Sequence, residues 1–176
     1  LLAVKPERRE FVKRDLIAQA ENVVANAKNE VALQAADSKL ATLKALLEIE
    51  ALEDGGRKNS EEWKTAAKKL VELQRQAAVS DYRWKLSTGE AAVTKADAAI
   101  AKAKEDQNKA AETKAIKSLT SAKKTVAAAQ NSLATAEKAL AAEATTKYEP
   151  RKQGIYLDKS NGSRLAFAKW LTAREN

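Results

Sequence analysis

The sequence predicts an all-α protein: an elongated antiparallel helical coiled coil, or hairpin, of three to four long helices, followed by a loop and a short C-terminal helix. Three observations carry that prediction. No proline lies between Pro6 and Pro150, and only Gly55, Gly56 and Gly89 interrupt the stretch; proline and glycine are the residues that most penalise a helix interior. Ala, Glu, Lys, Leu and Arg supply 105 of the 176 residues, beyond the half that marks coiled coils and long helices. Apolar residues also recur at helical spacing, and the strict seven-residue repeat within residues 90–147 separates that stretch from a disordered segment of similar charge.

The first helix is expected just after Pro6, which suits a first-turn position because its missing N–H would be unpaired there anyway. Glu7 and Glu10 favour that start through the helix macrodipole. Val12, Leu16, Ala20, Val23, Ala27 and Val31 form one apolar stripe. It slips between Ala35 and Leu40 and resumes as Leu40, Leu43 and Leu47. One rod of about 70 Å from Glu7 to Glu53 follows, ended by Asp54-Gly-Gly-Arg-Lys-Asn-Ser60.

A second helix starts with Asn59 as cap and Glu62 three residues on, or with Ser60 as the cap instead. Trp63, Ala67, Leu70, Leu73, Ala77 and Trp84 continue it. Ser87-Thr88-Gly89-Glu90 reads as a break and a new cap. From Glu90, Val93, Ala96, Ile100 and Ala103 keep helical spacing, and then a strict heptad sets in. Leu119, Val126, Leu133 and Leu140 alternate with Ala122, Ala129 and Ala136, so one core position is large and the other is alanine. Such a repeat implies left-handed supercoiling and close helix axes. Continuity through Glu105-Asp-Gln-Asn-Lys109 stays open at this level, and short turns would make neighbours antiparallel. Residues 1–147 are therefore one alanine-rich arm. Residues 148–176 form an extended linker and a short helix entering a following domain.

The core of such an arm is thin. The chain holds 38 alanines, 20 of them between Glu90 and Lys147, whereas Leu, Ile, Val and Phe together number 34. Alanine removes little area from water at about 25 cal/mol per Å². Cys, Met and His are all absent. That excludes disulfides and thiolate chemistry, and with them the commonest general base and transition-metal ligand. No cofactor and no metal are expected, and the chain reads as non-enzymatic. No apolar run approaches the ~20 residues that cross a bilayer.

The net charge of +8 is −1 over residues 1–53 and +3 over each of 54–89, 90–147 and 148–176. A nucleic-acid or membrane footprint gathers its basic residues on one face or in one run. The densest group, Lys5, Arg8, Arg9, Lys13 and Arg14, is interleaved with Glu7, Glu10 and Asp15. It reads first as a salt-bridged face and second as a polyanion surface. Glu53-Asp54 and Glu61-Glu62 flank the Gly55-Gly56 turn but lack the alternating oxygen ligands of a calcium loop. Trp63, Tyr82, Arg83 and Trp84 could form an aromatic–cationic contact surface, against a plainer role in packing at a helix end. Gly162 and the helix start after it could hold an anion, against a plain turn and cap.

After Lys147 the pattern becomes turn-rich, with Pro150, Gly154 and Ser160-Asn-Gly162-Ser163 before a final helix from Arg164 to about Arg174. Its apolar side carries Leu165, Phe167, Ala168 and Leu171. The stretch Tyr156-Leu-Asp-Lys-Ser-Asn-Gly-Ser-Arg-Leu-Ala-Phe-Ala-Lys-Trp-Leu-Thr-Ala-Arg-Glu-Asn176 resembles the opening part of the planctomycete-specific C-terminal domain of large planctomycete proteins. Many members carry a planctomycete cytochrome C domain further upstream. Gly162, Arg164, Leu165, Ala166, Ala168 and Trp170 match the family pattern; Asn161, Ser163 and Lys169 depart from it. The resemblance implies a bacterial, extracytoplasmic parent protein (periplasmic or cell-surface) whose function is undefined, and it carries over no catalytic residue. A haem would require Cys-x-x-Cys-His, which this chain lacks.

The expected function is thus a structural or protein-interaction coiled-coil segment of a larger bacterial protein. The absence of an initiator Met fits that expectation. Its partners would be another protein or neighbouring domains of the same chain, and self-association is compatible with the pattern. The alternative is a basic helical module for anionic partners such as nucleic acid, acidic polymer or a membrane surface. Arg164, Phe167, Trp170 and Leu171 are the residues expected to dock on the following domain.

Overall fold

A computed structural model describes residues 6–151. Four helices make up the fold: α1 (Pro6–Ala25), α2 (Glu30–Asp54), α3 (Glu61–Glu105) and α4 (Lys109–Leu140), with no strand among the described residues. Each helix packs only on its neighbours in sequence, α1 on α2, α2 on α3 and α3 on α4. The result is a zigzag of antiparallel hairpins around α3, whose 45 residues make a spine of about 67 Å at 1.5 Å per residue.

The expected 7–53 rod is two helices. Asn26 donates its side-chain amide to the Asn22 carbonyl at 2.7 Å, and Ala27 N–H turns back to Val24 at 3.1 Å. Asn29 then caps α2, accepting the Ala32 N–H at 2.8 Å from an extended backbone with φ −155°. Short amide side chains offer the backbone such local alternatives to the helix ladder, and two of them three residues apart break the rod. The stripe is also shifted: Val12, Leu16, Ala20 and Val24 are half-buried, while Val23 is exposed.

The Gly55-Gly56 turn ends α2 as expected. Arg57 N–H reaches the Leu52 carbonyl at 2.9 Å and Gly56 N–H the Glu53 carbonyl at 3.0 Å, with Gly56 at φ 72°. That paired closure needs a left-handed residue, which glycine supplies without steric cost. Ser60 is the cap of α3, accepting from Trp63 N–H at 3.1 Å, and Asn59 takes a left-handed turn position at φ 69°.

No break occurs at Ser87–Glu90: α3 runs straight through. Thr88 turns its hydroxyl back onto the Trp84 carbonyl at 2.9 Å, inside the helix. Gly89 serves close packing instead of a turn, because a Cβ there would lie 2.9 Å from Val126 Cγ2 on α4. The hairpin comes later, at Asp106–Asn108. Asn108 N–H closes on Ala103 at 2.8 Å, Gln107 N–H on Lys104 at 3.1 Å with φ 50°, and Asn108 caps α4 through Ala111 N–H at 3.0 Å. α4 stops at Leu140, short of Lys147.

Two kinds of core result. Between α2 and the start of α3, Ala45, Leu46, Ile49, Leu52, Trp63, Ala67 and Leu70 form a compact cluster, with Ile49 and Leu70 fully enclosed. Between α3 and α4 the buried residues include Gly89, Ala96 and Ala103 against Ala115, Ala122, Ala129 and Ala136. Leu119, Val126 and Leu133 are only half-buried, and Leu140 is exposed. The Gly89–Val126 contact sets the register: four-residue steps in opposite directions bring Val93 level with Ala122, and seven-residue steps bring Ala96 level with Leu119. Large side chains thus face small ones, which lets the two backbones approach.

Candidate interaction surfaces

The chain leaves α4 and straps back across α3 to α2. Arg75 donates to the Ala142 carbonyl at 2.5 Å. Gln74 makes a two-point pair with the backbone of Glu149, accepting its N–H at 3.0 Å and donating to its carbonyl at 2.6 Å. Tyr148 then packs on the α2/α3 core, its ring edge-on to Trp63 at 6.3 Å and 60°. Glu53 Oε1 receives the Trp63 indole N–H at 3.1 Å, the Tyr148 hydroxyl at 3.0 Å and the Lys58 ammonium at 3.3 Å. Arg151 closes the strap with two bonds to Glu50, at 3.3 and 3.2 Å. Burial of the Tyr148 hydroxyl and the adjoining Glu53 carboxylate both disfavour a phenolate, and push its pKa up to about 12.

Nothing in the sequence hints at this convergence beyond an isolated aromatic two residues before Pro150. Its partners, Glu50, Glu53 and Gln74, look like ordinary helix-surface residues, and only the return of the chain makes them specific. Residues 148–151 of the segment assigned to a following unit therefore lie on the arm. Gly162, Arg164, Phe167, Trp170 and Leu171 fall outside the described residues.

The aromatic–cationic group is not one surface. Trp63 is buried beneath the strap, and Trp84 lies 21 residues further along the same helix, about 32 Å away. Tyr82, Arg83 and Trp84 point in successive directions around α3. Arg83 reaches Glu137 of α4 at 3.2 Å, the Lys85 ammonium stands 5.0 Å from the Tyr82 ring, and the Lys39 ammonium 5.8 Å from the Trp84 ring. Trp84 is 38% exposed.

Beside it, Asp81 joins α2 to α3 by pairing with Lys39, and it also accepts Lys85 at 2.6 Å. Partial burial works against the Asp81 charge, but hydrogen bonds from Lys39 and Lys85 outweigh it and leave its pKa below the ordinary 3.8. The Ser38 and Ser80 hydroxyls, each one residue earlier on its helix, meet at 3.1 Å.

The acidic residues around the Gly55-Gly56 turn disperse: Glu62 pairs with Arg57 at 2.8 Å, Glu61 with Lys64 at 2.6 Å, and Glu53 faces the strap. A hydrogen bond from Lys64 lowers the pKa of Glu61. No three carboxylates gather in metal-binding proximity among the described residues. No described helix is long and apolar enough to cross a membrane.

Set against protein-family models, curated proteins and solved structures, the chain matches none.

Proposed function

We propose that this chain is a non-enzymatic spacer and protein-interaction arm within a longer bacterial protein. The observation that carries the reading is the geometry of α3. One uninterrupted helix of 45 residues holds α2 and the returning strap at one end and projects the α3/α4 hairpin from the other. The strap ties the exit of the chain to Gln74 and Glu50, so the Asp106–Asn108 tip stands about 45 Å away along the spine. A two-helix projection with an alanine seam is narrow for its length and presents most of its surface to other molecules. The resemblance of residues 156–176 to the planctomycete C-terminal domain supports a larger, extracytoplasmic parent.

Shape and role are tested together. X-ray scattering should give a radius of gyration above about 20 Å; a compact chain of this length has about 16 Å, and that value would refute the arm. Removing one matched heptad from each strand of the hairpin, residues 97–103 and 112–118, keeps the register and shortens the projection by about 10 Å. In the parent protein this shortening should impair function while leaving helicity per residue unchanged. Wild-type behaviour would refute the spacer role.

A further inference from the structure

One flank of the hairpin carries chemistry that packing does not explain. A groove of about 440 Å³ runs between α3 and α4, lined by Trp84, Lys85, Thr88 and Ala92 on one side and Ser118, Ser121 and Thr125 on the other. Three of its hydroxyls are spent on their own helices: Thr88 on Trp84, Ser118 on Lys114 and Thr125 on Ser121, at 2.9, 3.2 and 3.2 Å. The floor is therefore methyl, methylene and indole surface, with Gly89 and Ala122 beneath it.

The charges on this flank have one sign. Helical periodicity continues the row of Lys85, Thr88 and Ala92 to Lys95 and Lys102, and the row of Ser118, Ser121 and Thr125 back to Lys114. Between its two ends, marked by Asp81 and Asp106, the flank holds no carboxylate. Asp81 answers Lys85, whereas Lys95, Lys102 and Lys114 have no ion pair among the described residues. The opposite flank mixes signs, with Lys104–Glu112 and Arg83–Glu137 spanning the two helices.

We propose that this groove docks an acidic amphipathic helix of a partner protein. The inference rests on the interaction-arm reading and gives it a site and a partner chemistry. The small-residue floor admits the ridge of a third helix at short axial distance, Trp84 supplies an anchor at one end, and the three lysines pair with carboxylates along its edges. A nucleic acid would want hydroxyl and guanidinium donors facing the groove; here three of the four lining hydroxyls are bonded to their own helices and no arginine lines it.

The test uses the full chain and a designed, fluorescein-labelled helical peptide with a Leu/Ala stripe flanked by glutamates. Comparison probes are the same peptide with lysine for glutamate, polyglutamate, and duplex DNA. The acidic amphipathic peptide should bind best. Lys95→Glu with Lys102→Glu and Lys114→Glu should weaken it about tenfold or more, and Ala92→Gln should weaken it without altering charge. Lys109→Glu with Lys123→Glu and Lys138→Glu, on the opposite side of α4 by helical periodicity, should have far less effect. Circular dichroism shows whether each variant keeps its helix content. Equal loss in both lysine sets, equal affinity for polyglutamate or DNA, or no peptide binding at all would overturn the proposal. The scattering result is untouched by any of these outcomes, so the groove can fail while the elongated arm stands.

Discussion

Gly89→Ala reverses an ordinary expectation, and the structure fixes the sign. In an exposed helix interior this change stabilises by about 0.8–1 kcal/mol, because alanine loses less backbone freedom on folding. At residue 89 the new methyl would sit 2.9 Å from Val126 Cγ2, 3.6 Å from Val126 N and 3.7 Å from its Cα. Carbon atoms prefer about 3.5–4.0 Å, so something must move by roughly 0.6–1 Å. Val126 has little freedom to rotate away, since β-branched side chains in helices hold one rotamer. The helices must then separate along a seam whose contacts depend on close approach, and overpacking of this kind costs about 1–3 kcal/mol. The net expectation is destabilisation by about 1 kcal/mol. In a Val126→Ala background the obstruction is gone, and the same Gly89→Ala change should stabilise by about 0.8–1 kcal/mol. Urea unfolding followed by circular dichroism, applied to the four members of the cycle, reads the coupling of about 2 kcal/mol directly. If Gly89→Ala stabilises equally in both backgrounds, α3 and α4 do not approach at residue 89. The close-packed seam would then be wrong.

Two further outcomes concern the other end of the molecule. Leu70→Ala empties a fully enclosed site and should cost about 2–5 kcal/mol in urea unfolding, whereas a cost under about 1 kcal/mol would deny that the α2/α3 cluster is the main core. Tyr148→Phe should change the alkaline behaviour. The folded hydroxyl has its pKa pushed up to about 12, above the ordinary value of about 10. Its contribution to stability is therefore complete below pH ~10 and lost as pH rises towards 12. The variant should lose that part of the alkaline slope of the unfolding free energy, and an unchanged slope would place Tyr148 off the core.

Much of this architecture is written in the local chemistry of the chain. The absence of proline, the alanine heptads, the paired glycines after Asp54 and the cap before Trp63 act within a few residues of themselves, through backbone sterics and one-turn hydrogen bonds, so the helical class and two of the turns can be read directly. The Asn29-Glu30 cap was equally local, but a plausible stripe running past it concealed it. Gly89 could not be read locally at all. A glycine after Ser-Thr looks the same whether it ends a helix or admits Val126, and the choice depends on a residue 37 positions away. The strap is the same case on a larger scale. Glu53 and Tyr148 are separated by 95 residues, and neither has a signature by itself. Their carboxylate and hydroxyl become a site only when α3 and α4 have set the path that brings the chain back. The sequence by itself determined that this protein would be long helices with small-residue seams. Only the tertiary structure decided which glycine turns and which one packs, which aromatic is buried, and which lysines are left facing an open groove, because those depend on the distance between helices.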